Sequence, residues 1–179
     1  IENREENICV ACTVEDADFL AKGIIDSLSL NFSNVSLACF WNHRQQKLSI
    51  APIIKKYKEP ASNNAEILVV VKSVISGACV VKTNLTNLIQ EVIPKEIFVV
   101  SPVMYVNASS KLNSEFPDDI SEKFKYVYFA IDNEKSSDGN VIQGIGGNVY
   151  KRLGFESQED KNKFTPKLVK KRRALLISI

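Results

Sequence analysis

The chain has 179 residues, 45% of them hydrophobic, and a net charge of +2, which suits one domain with a hydrophobic core. So small a charge requires no nucleic-acid partner. No apolar run reaches the roughly 18 residues of a membrane helix, so we expect no spanning segment. The start, Ile1–Arg4, lacks a Met and a signal-peptide pattern, so we expect a piece of a longer, cytoplasmic protein.

Apolar runs alternate with stretches of helical periodicity along the chain. The predicted strands, in order, are Ile8–Cys12, Val35–Trp41, Leu48–Tyr57, Ile67–Val71, Ile97–Val106 and Tyr126–Ile131. The predicted helices are Asp16–Leu30, Cys79–Glu91 and Asp118–Lys125. Pro52 favours an edge position for the third strand, and the aliphatic run Ile67–Val71 is typical of a strand covered on both faces. The alternation predicts an α/β fold, a mostly parallel sheet with flanking helices.

Cysteine and histidine residues offer little catalytic chemistry. Cys9 and Cys12 form a C-x-x-C within the first strand, which is either a redox or metal pair or two buried strand residues. Burial is favoured, because free cysteine is commonly buried and no second pair completes a zinc site. His43 is the only histidine, so Ser-His or Cys-His catalysis has one candidate base and no third member.

Loops that follow strands are where an α/β sheet binds ligands. After the first strand, Thr13 suits a helix N-cap, and Glu15, Asp16 and Asp18 suit the first turn, where acids complement the helix dipole. After the central strand come Ser76-Gly77-Ala78-Cys79, small residues that let backbone N–H groups face a phosphate at a helix start. After the last strand, Gly144 and Gly146 belong to a glycine loop that can approach a ligand closely.

Two of these loops resemble sequence motifs of a known enzyme family. Val70–Cys79 overlays, without a gap, the phosphoribosyl-diphosphate motif of type I phosphoribosyltransferases, with Ser76-Gly77 in place of Thr-Gly. The segment Val127–Phe155 is similar to the carboxyl-terminal signature of the uracil enzymes. The coinciding residues are Ala130, Ile131, Asp132, Gly139, Gly144, Gly146 and Gly154.

This resemblance implies site residues. The residues that the resemblance implies for phosphate binding are Ser76, Gly77, Ala78 and Cys79. Those that it implies for base binding are Val141, Ile142, Gly144 and Gly146. Further candidate phosphate contacts are Arg44, Lys72 and Lys151.

The chain departs from the family where charge matters. The family's ribose-binding acids, which act directly or through Mg²⁺, fall on Val71 and Lys72. The family's pyrophosphate loop, L-R-A-G, corresponds to Ala11–Asp16, which lacks Arg and Gly. The acids Glu15 and Asp16 would repel a diphosphate.

We therefore expect residues 1–155 to form a uracil-phosphoribosyltransferase-like domain that is a non-catalytic nucleotide- or base-binding or assembly module. The alternative is an active enzyme that makes UMP from uracil and phosphoribosyl diphosphate, with Mg²⁺ needed only in that case. We also expect a homo- or hetero-oligomer. Residues 156–179 are a basic extension, which either binds nucleic acid or lipid or, as favoured, docks on the body through Leu175 and Ile177.

Overall fold

A largely parallel sheet organises the computed structural model, which describes residues 4–45, 50–134 and 150–177. Its strands are β1 (Ile8–Thr13), β2 (Val35–Asn42), β3 (Ile53–Lys58), β4 (Ile67–Val71), β5 (Val74–Ile75), β6 (Glu96–Tyr105) and β7 (Phe124–Asp132). Its helices are α1 (Lys22–Leu28), α2 (Cys79–Ile89), α3 (Ala108–Asn113), α4 (Asp118–Ser121), α5 (Gln158–Lys163) and α6 (Lys167–Ile177). None of these helices is long and apolar enough to cross a membrane.

The strand order confirms the predicted fold class. Strands β3, β2, β1, β4 and β6 lie side by side in that order, and β5 continues along the edge of β6 that β4 occupies. Strand β7 pairs with the opposite edge of β6. All neighbours are parallel except β3, which is antiparallel to β2 at the sheet edge. The prediction of a central parallel strand over Ile67–Val71 is confirmed, since it pairs with β1 and β6.

Two hydrophobic clusters cover the two faces of the sheet. Helices α2 and α3 close one face, while α1 and the start of α6 close the other. Side chains alternate between faces along a strand, so Cys9 belongs to the first cluster and Cys12 to the second. Both are buried strand residues, and the C-x-x-C spacing therefore separates the two thiols rather than pairing them.

The helix predicted after β1 is less regular than expected. A 3₁₀ turn covers Val14–Asp16, a π-helical segment covers Ala17–Ala21, and the α-helical part ends at Leu28. Thr13 does not cap this helix with its side chain, because its hydroxyl donates instead to the Asp16 carboxylate.

Other boundaries were also wrong. The helix predicted over Asp118–Lys125 ends at Ser121, and β7 begins at Phe124, where Phe124 and Tyr126 pack against the core. Helices α3 and α5 and the short strand β5 were not predicted.

The carboxyl-terminal extension docks on the body, but through residues other than those expected. Leu168 and Val169 are buried, whereas Leu175 is 55% and Ile177 79% exposed. The Trp41 indole N–H also donates to the backbone oxygen of Phe164 at 2.8 Å. The docking therefore uses Leu168 and Val169 in the first turn of α6, which belong to the second hydrophobic cluster. It also uses Arg172 in the next turn, whose guanidinium donates to the Val35 carbonyl at 2.7 Å.

Candidate functional site

The loops after β1 and β4 meet at the carboxyl end of the sheet and form a buried ion-pair network. The Nζ atom of Lys72 lies 2.8 Å from Oδ2 of Asp16 and 3.2 Å from Oε1 of Glu15. The Thr13 hydroxyl donates to Asp16 Oδ2 at 2.7 Å, and the backbone N–H of Ser73 donates to Asp16 Oδ1 at 3.3 Å. Glu15 and Asp16, which were predicted to lie in the first turn of a helix and complement its dipole, thus form ion pairs with Lys72 from the loop after β4.

Lys161 adds a second cation to this network. Its side chain is 1% exposed, and its Nζ lies 3.8 Å from Oε2 of Glu15. The same ammonium group donates to the backbone oxygen of Asn42 at 2.7 Å and lies 5.3 Å from the centre of the Tyr150 ring. Lys161 could not be predicted as a site residue, because the polar helix α5 carries no signal that one of its lysines is buried.

The buried groups shift one another's pKa. Burial acts to raise the pKa of Glu15, but the positive charges of Lys72 and Lys161 outweigh it and lower that pKa below its ordinary value. Burial opposes the charge on Lys72, yet Asp16 and Glu15 raise the pKa of Lys72. Burial lowers the pKa of Lys161. At neutral pH, Glu15 and Lys72 are therefore held in their charged forms.

A small cavity of about 60 Å³ adjoins the network. Its lining includes three of the four predicted phosphate-binding residues, Ser76, Gly77 and Cys79, together with Arg44 and Lys72. Helix α2 begins at Cys79 after an Ala78 N-cap, and Ala78 itself is buried. Within the described part of the chain, no backbone hydrogen bond uses the N–H groups of Gly77 and Ala78.

The other predicted phosphate contacts differ in their surroundings. Arg44 is tied to helix α5 through its backbone, since its N–H donates to Gln158 Oε1 at 2.5 Å and its carbonyl accepts from Gln158 Nε2 at 3.2 Å. Lys151 is exposed, in a short turn that ends at Gly154 with φ of 82°. The predicted base-binding residues Val141, Ile142, Gly144 and Gly146 lie outside the described residues. All of these roles remain predictions.

The donor set does not suit a Mg²⁺ ion. The nearby carboxylates, Glu15 and Asp16, already face the ammonium groups of Lys72 and Lys161, whereas Mg²⁺ prefers carboxylates that are free to bind it with several waters. Among the described residues, no cluster of three His, Cys, Asp or Glu side chains is arranged to hold a metal ion.

Comparisons with known proteins place the chain by its fold. No protein-family model matches the sequence, and no curated protein matches it. Among solved structures, the AQ2163 protein of Aquifex aeolicus superposes with a TM-score of 0.67 at 15% identity, over 86% of this chain and 68% of that one. At this identity the likeness is one of fold alone.

Two further solved structures superpose less closely. One is a hypoxanthine phosphoribosyltransferase of Staphylococcus aureus, with a TM-score of 0.49, 11% identity and coverage of 74% of this chain and 65% of that one. The other is a hypoxanthine phosphoribosyltransferase of Trypanosoma cruzi complexed with the product IMP, with a TM-score of 0.47, 9% identity and coverage of 75% and 63%. The chain thus spans about two thirds of the length of the three structures named.

Proposed function

We propose that this chain is a phosphoribosyltransferase-like domain, nearest to the uracil enzymes, that does not transfer phosphoribosyl groups and serves as a nucleotide- or base-binding or assembly module. One observation carries the proposal: the loops that correspond to the family's pyrophosphate and ribose sites are joined by the buried ion pairs of Lys72 with Glu15 and Asp16.

The argument against transfer is electrostatic. Transfer requires neutralisation of a diphosphate leaving group and stabilisation of a ribosyl cation. Here acids follow β1, where the diphosphate would need cations, and Lys72 follows β4, where the ribose would need acids. Loss of one hydrogen-bond donor to the charge that develops in a transition state costs about 2.7–4 kcal/mol, or 10²–10³ in rate. A reversal of both charges leaves little catalysis.

Retained binding is supported by the backbone around Gly77. Recognition of a phosphate by main-chain N–H groups at the start of α2 does not depend on the missing acids. The cavity of about 60 Å³ has room for a phosphate group, whereas sites for whole small molecules measure about 300–1,000 Å³. We therefore expect the described residues to contact only the phosphate of a nucleotide.

The first experiment measures transfer of ribose 5-phosphate to uracil in the presence of Mg²⁺. We expect no turnover above the uncatalysed rate. A rate near the usual enzyme median of about 10 s⁻¹ would overturn the non-catalytic assignment and favour an active uracil phosphoribosyltransferase.

The second experiment is calorimetry of the full chain with uracil, UMP, phosphoribosyl diphosphate and UTP. Gly77→Ala places a methyl group in the cradle without a clash, because nothing lies within 4 Å of a Cβ there. Gly23→Ala is the matched control, since it is equally unhindered but lies in α1. We expect UMP or UTP to bind the wild type and Gly23→Ala more tightly than Gly77→Ala. Absence of all binding at millimolar concentration would leave only the assembly role.

A further inference from the structure

We propose that the groove between α1 and α6 binds an acidic amphipathic helix of a partner protein. The groove has a volume of about 1040 Å³. One wall is the helical segment that runs from Asp18 to Ser29, the other is α6, and residues 153–155 lie against the same space. It is much larger than the cavity at the start of α2.

The floor and rim of the groove are apolar. Val14, Ile25 and Leu168 line it and are buried in the core. Phe19 and Leu175 also line it, and they are 72% and 55% exposed. A contiguous apolar surface with a polar border is typical of an interaction site in a soluble protein.

Lysine side chains at α6 and the end of α5 determine which charge a partner of the groove should carry. Lys167 and Lys171 lie one turn apart on α6, and Lys163, the last residue of α5, lines the same groove. No ion pair within the described ranges engages these three lysines. The acids that line the groove already form hydrogen bonds or ion pairs within the protein. Asp18 accepts from the backbone N–H groups of Lys167 and Leu168 at 2.9 and 2.8 Å, and Asp26 pairs with Lys22.

Glu15 and Asp160, the remaining acids, are also engaged. Glu15 faces Lys72, and Asp160 accepts from the backbone N–H of Glu156 at 3.2 Å. Asp18 and Asp160 keep their negative charges, because backbone N–H groups do not neutralise a carboxylate. The three lysines without an ion pair still outnumber these two acids, so the net charge of the groove is positive and a complementary partner is acidic.

The shape of the groove suits a helix. The wall from Asp18 to Ser29, which comprises part of the π-helical segment and all of α1, is about 16 Å long at the α-helical rise per residue. This length matches about three turns of a partner helix. Apolar side chains between two helical walls, with cations along one of them, receive the apolar stripe and the acidic face of an amphipathic helix. A nucleic acid would leave the apolar floor unused, and a bilayer surface would not enter a groove.

This proposal stands apart from nucleotide binding, because Gly77 and Arg44 do not line the groove. Glu15 lines both spaces, so the test leaves Glu15 unchanged. Failure of the groove test therefore leaves the outcome of the calorimetry with nucleotides unaffected.

The test uses the full chain and a fluorescent synthetic helix of about four turns, with leucines on one face and glutamates on the other. We expect saturable binding by anisotropy that weakens with added salt and when glutamine replaces glutamate in the peptide. Lys167→Ala with Lys171→Ala should weaken binding about fivefold or more, and Phe19→Ala should also weaken it. Lys170→Ala is the matched control on the same helix, because Lys170 does not line the groove, and it should bind like the wild type.

Three results would overturn the proposal. The first is no binding of the acidic peptide, or equal binding by the double lysine variant. The second is lysine-dependent binding of phosphatidylserine vesicles or single-stranded RNA without peptide binding, which would assign the surface to another class of ligand. The third is a dimer of the chain that Phe19→Ala dissociates, which would assign the groove to a second copy.

Discussion

The Nζ atom of Lys72 lies 2.8 Å from the Asp16 carboxylate, although 56 positions separate the two residues in the sequence. This contact joins the loop after the first strand to the loop after the central strand. The two segments that we propose to correspond to substrate-binding loops of the resembled family are thus tied to each other by a buried ion pair. Its removal is therefore expected to affect folding before it affects any ligand.

Lys72→Met should lower the free energy of unfolding by about 3–5 kcal/mol, because it leaves Glu15 and Asp16 buried without their main cation. Urea denaturation measures the change. Lys82→Met is the control, since the Lys82–Glu115 pair is exposed and should contribute no more than about 1 kcal/mol. Adding Glu15→Gln and Asp16→Asn to Lys72→Met should recover most of the loss, and no recovery would contradict the ion-pair explanation.

The pKa of Glu15 predicts how stability depends on pH. Because this pKa is lower in the folded than in the unfolded chain, Glu15 stabilises the fold above its ordinary pKa of about 4.3. That contribution is lost as the pH falls through the folded-state pKa. We expect Glu15→Gln to be less stable at neutral pH and to lose less stability on acidification. Parallel pH profiles of wild type and variant would contradict this expectation.

Docking of the carboxyl-terminal extension predicts unequal effects of two leucine substitutions on α6. Leu168→Ala should cost about 2–5 kcal/mol, because it opens a cavity in the core. Leu175→Ala should change stability by no more than about 0.5 kcal/mol, because Leu175 is 55% exposed. Thermal and urea unfolding compare the two variants, and equal effects would mean that α6 does not dock through its first turn.

The pKa of the Tyr57 phenol can be used to test the buried contacts beside β2. Burial raises the pKa of Tyr57 to about 12, and the Glu59 carboxylate, which accepts from the phenol at 3.2 Å, adds to the shift. Glu59→Gln should lower this pKa towards the ordinary value of about 10, but not reach it, because burial remains. Alkaline absorbance titration measures the change, and Tyr57→Phe identifies the Tyr57 component. An unchanged titration would exclude Glu59 as a cause.

Sequence patterns predicted those parts of the molecule that depend on neighbouring residues. The aliphatic run at Ile67–Val71 has a local physical cause, namely burial on both faces. The edge position predicted from Pro52 also holds for β3, although Pro52 lies immediately before the strand and not within it. Burial of Lys161 has no local cause. It depends on acceptors such as the Asn42 carbonyl, 119 positions away, and similar reasoning explains why the partners of Glu15 and Asp16 were not foreseen.

The hydrogen bond between Trp41 and the Phe164 carbonyl gives the protein an intrinsic optical probe. Trp41 is the only tryptophan in the chain, it is fully buried, and the backbone that accepts its indole N–H belongs to the extension. All tryptophan emission therefore comes from a single fluorophore in contact with the extension. Release of the extension would admit water to the indole and shift the emission to longer wavelength, so its detachment and return can be timed in the unlabelled wild-type protein.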